Sequence, residues 1–113
     1  MPKFKVKFLE EAGLFYFAQP LAVRKKIAYN ISIVAGGALN PELFKKLVGS
    51  NIWEFRTRYE GQSYRLLAFW DTETEAIVVA THGFSKKTDK TPPKEIEHAE
   101  TIRTKYFKSK KQD

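Results

Sequence analysis

The segment that follows a predicted strand carries a histidine and three lysines: His82, Lys86, Lys87 and Lys90. A run of β-branched residues precedes it, which is typical of a buried strand, and Gly83 predicts a tight turn directly after the strand. Lysine ammonium groups bind phosphate as point charges, and an imidazole exchanges protons near pH 7. The segment therefore has the residue types to hold a phosphodiester. His82 is either an acid or base beside that phosphodiester or a packed residue at the strand end.

Three arginines fall on two neighbouring predicted strands. Arg56 and Arg58 share one face of the first strand, because side chains alternate between the two faces. Arg65 is the one charged residue of the apolar second strand, where a charge is costly unless it has a partner or reaches water. Two interpretations stay open. The arginines either form cross-strand ion pairs with Glu54 or Glu60, or they make a basic face that binds phosphate.

Two tyrosines border the arginines in the sequence. Tyr59 and Tyr64 are candidate platforms on which RNA bases stack, whereas most other aromatic residues are predicted to lie in the core. The second histidine, His98, falls in the charged face of the last predicted helix, so we expect it to be exposed.

The acidic residues give no sign of a metal site. Asp71, Glu73 and Glu75 are closely spaced but lack the glycine and the distal glutamate of a calcium loop, so they predict a polar turn. The sequence has no cysteine and no glycine-rich phosphate loop. An enzyme built from these residues would need no metal and no other cofactor. Cleavage of RNA by its own 2′-hydroxyl fits, since the protein need only align that hydroxyl, remove its proton and stabilise charge on the phosphate.

Hydrophobic periodicity predicts the elements that would position these residues. A period of two predicts strands at residues 3–8 and 52–59, and apolar or β-branched runs predict strands at residues 64–70 and 76–81. Helical spacing predicts three helices, at residues 9–18, 20–36 and 94–107. Thr91 is the expected N-cap of the last helix and Pro92 its first residue. The order β-α-α-β-β-β-α, with the last three strands forming an antiparallel meander, indicates the α+β class.

Length and charge bound the function. The 113 residues predict a single domain at 1–113, with a basic tail at 108–113 that frays. The formal charge of +7 favours a polyanion or an acidic protein as partner. No apolar run reaches the ~18 residues of a membrane span, and the first residues lack the apolar core of a signal peptide. We therefore expect a cytoplasmic protein with no membrane partner.

Three separated segments resemble the RelE/HigB toxins of bacterial type II toxin–antitoxin systems, in their phage-derived HigB-like branch. They are Trp-Glu-Phe-Arg at 53–56, Tyr-Arg-Leu-Leu at 64–67, and the basic segment 82–87 running into Thr91 and Pro92. The resemblance implies a RelE-like fold: a twisted antiparallel sheet, two N-terminal helices on one face and a C-terminal helix. It also implies ribosome-dependent mRNA cleavage and inhibition by a small antitoxin, which in this branch is of the helix-turn-helix type.

The resemblance assigns roles unevenly. Arg65 matches the arginine of the family's Tyr-Arg strand, which contacts the scissile phosphate, and Lys87 stands where better-known members have a second catalytic arginine. Arg56 and Glu54 each replace a lysine on the preceding strand. No residue matches the catalytic tyrosine of some members, so His82 and Lys87 are both candidates for the acid or base. The predicted catalytic residues are Arg65, Lys87, Arg56 and His82. The predicted RNA-binding residues are Arg58, Lys86, Lys90, Tyr59 and Tyr64.

Two alternative functions stay open. A ParE-like toxin of the same superfamily poisons DNA gyrase and has no nuclease activity, and a third possibility is a non-catalytic RNA-binding module. Basic residues on the sheet and after its last strand favour the nuclease. Ribosome-dependent mRNA cleavage, DNA damage, or the absence of toxicity on expression would separate the three.

Overall fold

The structure, a computed structural model, describes residues 3–86 and 90–111 and contains five strands and three helices within them. The strands are β1 (Lys5–Phe8), β2 (Phe44–Lys46), β3 (Trp53–Tyr59), β4 (Gln62–Trp70) and β5 (Ile77–Lys86). The helices are α1 (Glu10–Phe17), α2 (Leu21–Ala35) and α3 (Pro93–Lys110). The predicted α+β class is confirmed.

The strands form one sheet in the order β1-β5-β4-β3-β2. The pairs β2–β3, β3–β4 and β4–β5 are antiparallel, but β1 runs parallel to β5, so the sheet is mixed and not purely antiparallel as predicted. A period of two reports which face a side chain takes and carries no information on strand direction. The additional strand β2 lies in the predicted connection and is too short for its period to be recognised.

A tight turn fixes the register between β3 and β4. Glu60 and Gly61, the two residues between Tyr59 and Gln62, both have positive φ angles, 48° and 77°. Two central residues with positive φ are required by the type I′ turn, whose twist matches that of a hairpin. The register that follows places Arg56 directly opposite Arg65.

Helices cover both faces of the sheet. On one face α1 and α2 bury Ala12 and Val34 against a core that includes Leu66 of β4. On the opposite face α3 buries Ala99 against a core that includes Leu67, the next residue of β4. We call this second surface the α3 face. The α3 face matters for the site because the neighbours of Leu66 along β4 point towards this face, on the opposite side of the sheet from Leu66.

The last strand is longer than predicted. β5 continues to Lys86, so His82 and Lys86 belong to the strand and not to a loop after it. A β-bulge between Leu67 and Ala68 of β4 leaves Thr81 without a directly paired residue, and this extra residue turns His82 onto the α3 face. Gly83 makes no turn. A Cβ atom at this position would collide with the ring of Phe15, so glycine allows α1 to approach the strand closely.

The ends of α3 also differ from the prediction. The helix begins at Pro93 after Pro92, and no side chain caps it, so Thr91 is not the N-cap. Its hydroxyl group binds elsewhere, as described below. At the other end the helix continues to Lys110, so the tail predicted to fray from residue 108 is helical over residues 108–110.

Candidate functional site

The three predicted arginines lie together on the α3 face. Arg56 and Arg65 are cross-strand partners on β3 and β4, and Arg58 is opposite Ser63 two pairs further along. Arg65 alternates along β4 with Leu66, and Leu67 follows on the face that α3 covers. The prediction that these cations share one surface agrees with this register, and it rested on the period of two alone.

A buried glutamate occupies the centre of this arginine group. Glu54 is 2% exposed and Arg65 is 3% exposed. Arg65 Nη1 donates to Glu54 Oε1 at 2.6 Å, and Arg56 Nε lies 3.4 Å from the same oxygen. The other carboxylate oxygen accepts a hydrogen bond of 2.5 Å from the Thr91 hydroxyl. The cross-strand ion pair is therefore present, and it offsets the cost of burying a charge in an apolar strand.

A cleft of about 510 Å³ opens beside these arginines, at the part of β3 beyond its pairing with β2. We call it the basic cleft, and its walls are formed by Lys26, Asn30, Glu42, Leu43, Arg56, Thr57, Arg58, Ser63 and Arg65. Of the wall residues that the structure describes, four are cations and Glu42 is the one anion. The cleft therefore has the charge to bind a phosphate chain, and its volume is within the usual ~300–1,000 Å³ of a ligand site.

Two residues of α2 contribute to the basic cleft without having been predicted. Lys26 is exposed at its rim, and Asn30 is buried, with its side-chain amide donating to Thr57 Oγ1 at 3.3 Å. The sequence did not predict that α2 reaches the edge of β3. The available signal was Asn30, a polar residue that interrupts the apolar stripe of this helix between Ile27 and Val34.

His82 has the geometry of a packed residue. It is 6% exposed, its Nδ1 lies 3.0 Å from Thr81 Oγ1, and its Nε2 lies 3.1 Å from Glu95 Oε1 on α3. Burial lowers the pKa of His82 below its ordinary value, although Glu95 acts in the opposite direction. His82 is not among the residues that line the basic cleft. Of its two predicted roles, the structure supports the packed one.

His98 lies against His82, with the two ring centroids 4.6 Å apart. It is exposed, as predicted, and its Nε2 lies 2.8 Å from Glu11 Oε1 on α1. The imidazole pair therefore joins α1, β5 and α3 on the α3 face.

The predicted lysines border this region unevenly. Lys86 ends β5 opposite Ser63, in the same row as Arg58, and two strand spacings separate it from that arginine, or about 10 Å. Lys90 is exposed directly before Thr91. Lys87, predicted to be catalytic, lies outside the described residues, so its role stays a prediction.

The two tyrosines do not lie beside the arginines. Thr57 pairs with Tyr64, and Tyr59 is two residues further along β3, so both tyrosines point to the face that α1 and α2 cover. They border a separate depression next to Val23 of α2. A base bound on the α3 face would not reach them. That they stack on bases stays a prediction.

Asp71 organises a polar turn, as predicted. Its carboxylate accepts hydrogen bonds from Tyr106 Oη and Lys110 Nζ, each at 2.7 Å, and from the backbone N–H groups of Glu73 and Thr74. Burial alone would raise the pKa of Asp71, but these hydrogen bonds lower it to about 2. The turn therefore fastens the C-terminal end of α3 to the sheet. In the part of the chain that the structure describes, no three His, Cys, Asp or Glu side chains converge to hold a metal ion.

Comparison with known proteins identifies both a family and a fold. Residues 15–104 match the family model described as phage derived protein Gp49-like. A mutant of the E. coli toxin RelE in the free state superposes with a TM-score of 0.64 at 19% identity, covering 91% of this chain and 98% of that one. The archaeal RelE–RelB complex from Pyrococcus horikoshii gives a TM-score of 0.51 at 12% identity, with 78% and 99% covered. No curated protein sequence matched.

The predicted RelE-like fold is confirmed by these superpositions. Within residues 3–86 and 90–111, no helix combines the length and the apolar character that crossing a bilayer requires.

Proposed function

The chain belongs to the family of phage-derived Gp49-like proteins, and we propose that it is the toxin of a type II toxin–antitoxin system that cleaves mRNA on the ribosome. The observation that carries the proposal is the basic cleft, where Arg56, Arg58 and Arg65 meet on a fold shared with a RelE toxin. A cleft with four cations and one anion along its wall suits the backbone of a single RNA strand.

The reaction that fits these residues is attack by the RNA's own 2′-hydroxyl. A bond forms between O2′ and phosphorus while the bond from phosphorus to O5′ breaks, which leaves a 2′,3′-cyclic phosphate and a 5′-hydroxyl. The proton leaves O2′ and another is delivered to O5′. Negative charge grows on the non-bridging oxygens during the attack, and fixed guanidinium groups stabilise it more than they stabilise the ground state. Because the nucleophile belongs to the substrate, no metal-bound water is required.

The cations of the basic cleft divide into two groups by exposure. Arg58 and Lys26 are exposed and are suited to hold the RNA backbone before reaction. Arg56 has a side chain 24% exposed, and Arg65 is almost buried, so these two are held in fixed positions. We assign transition-state stabilisation to Arg65 and Arg56, with Lys87 from the following segment as the third predicted catalytic cation.

An antitoxin is the proposed protein partner. The RelE of P. horikoshii is found in a complex with RelB, and this chain's charge of +7 favours an acidic segment that covers the basic cleft. We propose a helix-turn-helix antitoxin, as in the branch that the sequence resembles, and a cytoplasmic location with the ribosome. Association with such a partner should be fast and should slow as salt is added.

The test is cleavage of a defined mRNA in a reconstituted translation reaction, with and without ribosomes. The proposal expects cuts only with ribosomes, and fragments that end in a 2′,3′-cyclic phosphate and begin with a 5′-hydroxyl. Binding of RNA without cleavage would favour the non-catalytic module. Inhibition of gyrase supercoiling in a parallel assay, with mRNA intact, would favour the ParE-like alternative.

A further inference from the structure

Glu54 is the carboxylate that the described residues place within the arginine group, and the proposed chemistry does not use it. Both of its oxygens are engaged: Oε1 by Arg65 at 2.6 Å and by Arg56 at 3.4 Å, and Oε2 by Thr91 at 2.5 Å. It is 2% exposed, so it is shielded from solvent and from any molecule in the cleft. A residue in this position acts on the site through the arginines that it holds.

We propose that Glu54 is a positioning residue that sets the orientation of the Arg65 and Arg56 guanidinium groups for phosphate binding. The inference rests on the proposed function, since it names what prepares the same cleft for its substrate. A guanidinium carries its N–H donors in one rigid plane, so fixing one of them on Glu54 sets the direction of the others. An arginine without such a contact samples many rotamers, and only a few of them would direct donors into the cleft.

The contact with Thr91 extends this positioning to the next segment of the chain. Thr91 is 37 residues from Glu54 in the sequence and lies just before α3, directly after Lys90. Its hydroxyl donates to the oxygen that the arginines do not use. One carboxylate thereby links the arginines on β3 and β4 to the end of the segment that carries the predicted lysines. Thr91, at the end of that segment, and the two arginines are therefore held on the same buried carboxylate.

The decisive variant is Glu54→Gln, which keeps the shape of the side chain and an acceptor for Arg65 but removes the negative charge. We expect the single-turnover cleavage rate on ribosome-bound mRNA to fall about 10²-fold, the loss that a small misplacement of a reacting group causes. The KM should stay level or fall, because the site gains one net positive charge. Thr91→Val should lower the rate less, about tenfold, since it frees only the second oxygen.

The matched control is Glu60→Gln, which removes the same charge from an exposed residue in the turn between β3 and β4. It should change neither the rate nor the KM, which would separate an effect of position from one of total charge. Thermal unfolding of each variant, followed by circular dichroism, shows that the compared proteins are folded. A structural role alone would lower the amount of active protein and would leave the rate per folded molecule unchanged.

A second measurement does not depend on activity. The guanidinium N–H signals of Arg65, recorded by ¹⁵N NMR of the free protein, should show hindered rotation in the wild type and faster rotation in Glu54→Gln. If the wild type cleaves no mRNA, the proposed function fails and the NMR comparison still tests whether Glu54 restrains Arg65. Cleavage at the wild-type rate by folded Glu54→Gln would overturn the positioning role. Guanidinium N–H signals of Arg65 that are the same in this variant as in the wild type would also overturn it.

Discussion

Replacement of Arg65 by alanine should destabilise the fold, so a loss of cleavage in this variant would not by itself report on catalysis. The substitution removes the main partner of Glu54, which is 2% exposed and would remain as an inadequately compensated buried charge. Removing one partner of a buried ion pair costs about 3–5 kcal/mol. Arg56 stays 3.4 Å from the same carboxylate oxygen and offsets some of this, so we expect a loss of about 3 kcal/mol. Small domains have total stabilities of only ~5–15 kcal/mol.

Urea unfolding at pH 7 measures this loss. The reference is the double variant Glu54→Leu with Arg65→Met, in which neither charge is buried, and its stability should be close to that of the wild type or above it. If Arg65→Ala alone loses less than about 1 kcal/mol, the ion pair is not the compensated buried pair described above.

Arg65→Lys is the better test of catalysis. Lysine keeps the positive charge next to Glu54 but lacks the planar set of donors. We expect it to remain folded and to cleave about 10²–10³-fold more slowly, the usual cost of losing one donor to a developing charge. Cleavage at the wild-type rate would mean that Arg65 contributes charge and no directed hydrogen bond.

Three further predictions concern other parts of the molecule. Asp71→Asn should lower the free energy of unfolding by about 2 kcal/mol at pH 7, because the pKa of Asp71 falls from 3.8 to about 2 on folding. This contribution is present above pH 3.8 and is lost as the pH falls through 2. The free energies of unfolding of the two proteins, measured with urea, should therefore converge at acidic pH. Gly83→Ala should lower the melting temperature through a collision worth about 1–3 kcal/mol, and Phe15→Leu in the same protein should recover part of that loss. Lys26→Ala and Arg58→Ala should each change the free energy of unfolding by less than about 0.5 kcal/mol. Each should reduce the slope of log K for RNA binding against the logarithm of the salt concentration by about 0.7. An unchanged slope would show that the replaced side chain does not contact phosphate.

Alternation along the strands was enough to predict the arginine group. Because Arg56 and Arg58 are two residues apart, any strand through them places both on one face. The isolation of Arg65 among apolar residues predicted that it either has a partner or reaches water, and in the structure Glu54 is its partner. These inferences depend only on local geometry and on the cost of burying a charge. These inferences therefore required no knowledge of the rest of the fold.

Several side chains lie elsewhere than the sequence predicted. Thr91 has the residue type and spacing of an N-cap, but a buried carboxylate offers its hydroxyl a stronger, charge-assisted hydrogen bond. Tyr59 and Tyr64 are near the arginines in sequence yet alternate onto the opposite face. His82 reaches the α3 face only because of the bulge at Thr81, which no pattern in the sequence marks. For Thr91 and His82 a feature distant in sequence decided the outcome, whereas the face that Tyr59 and Tyr64 take follows from alternation alone.

Under the proposed function, the arrangement of charge in the basic cleft separates the binding of RNA from its cleavage. Glu54 offsets much of the positive charge of Arg65, so attraction of the RNA before reaction depends on the exposed cations Arg58 and Lys26. An interaction that stabilises the substrate and the transition state equally lowers KM without raising kcat. A guanidinium that is neutralised by a carboxylate but held in a fixed direction adds little to substrate binding. Its directed hydrogen bonds still strengthen as charge develops on the phosphate oxygens. Under the proposed function, the buried ion pair therefore lets Arg65 stabilise the transition state while adding little to substrate binding.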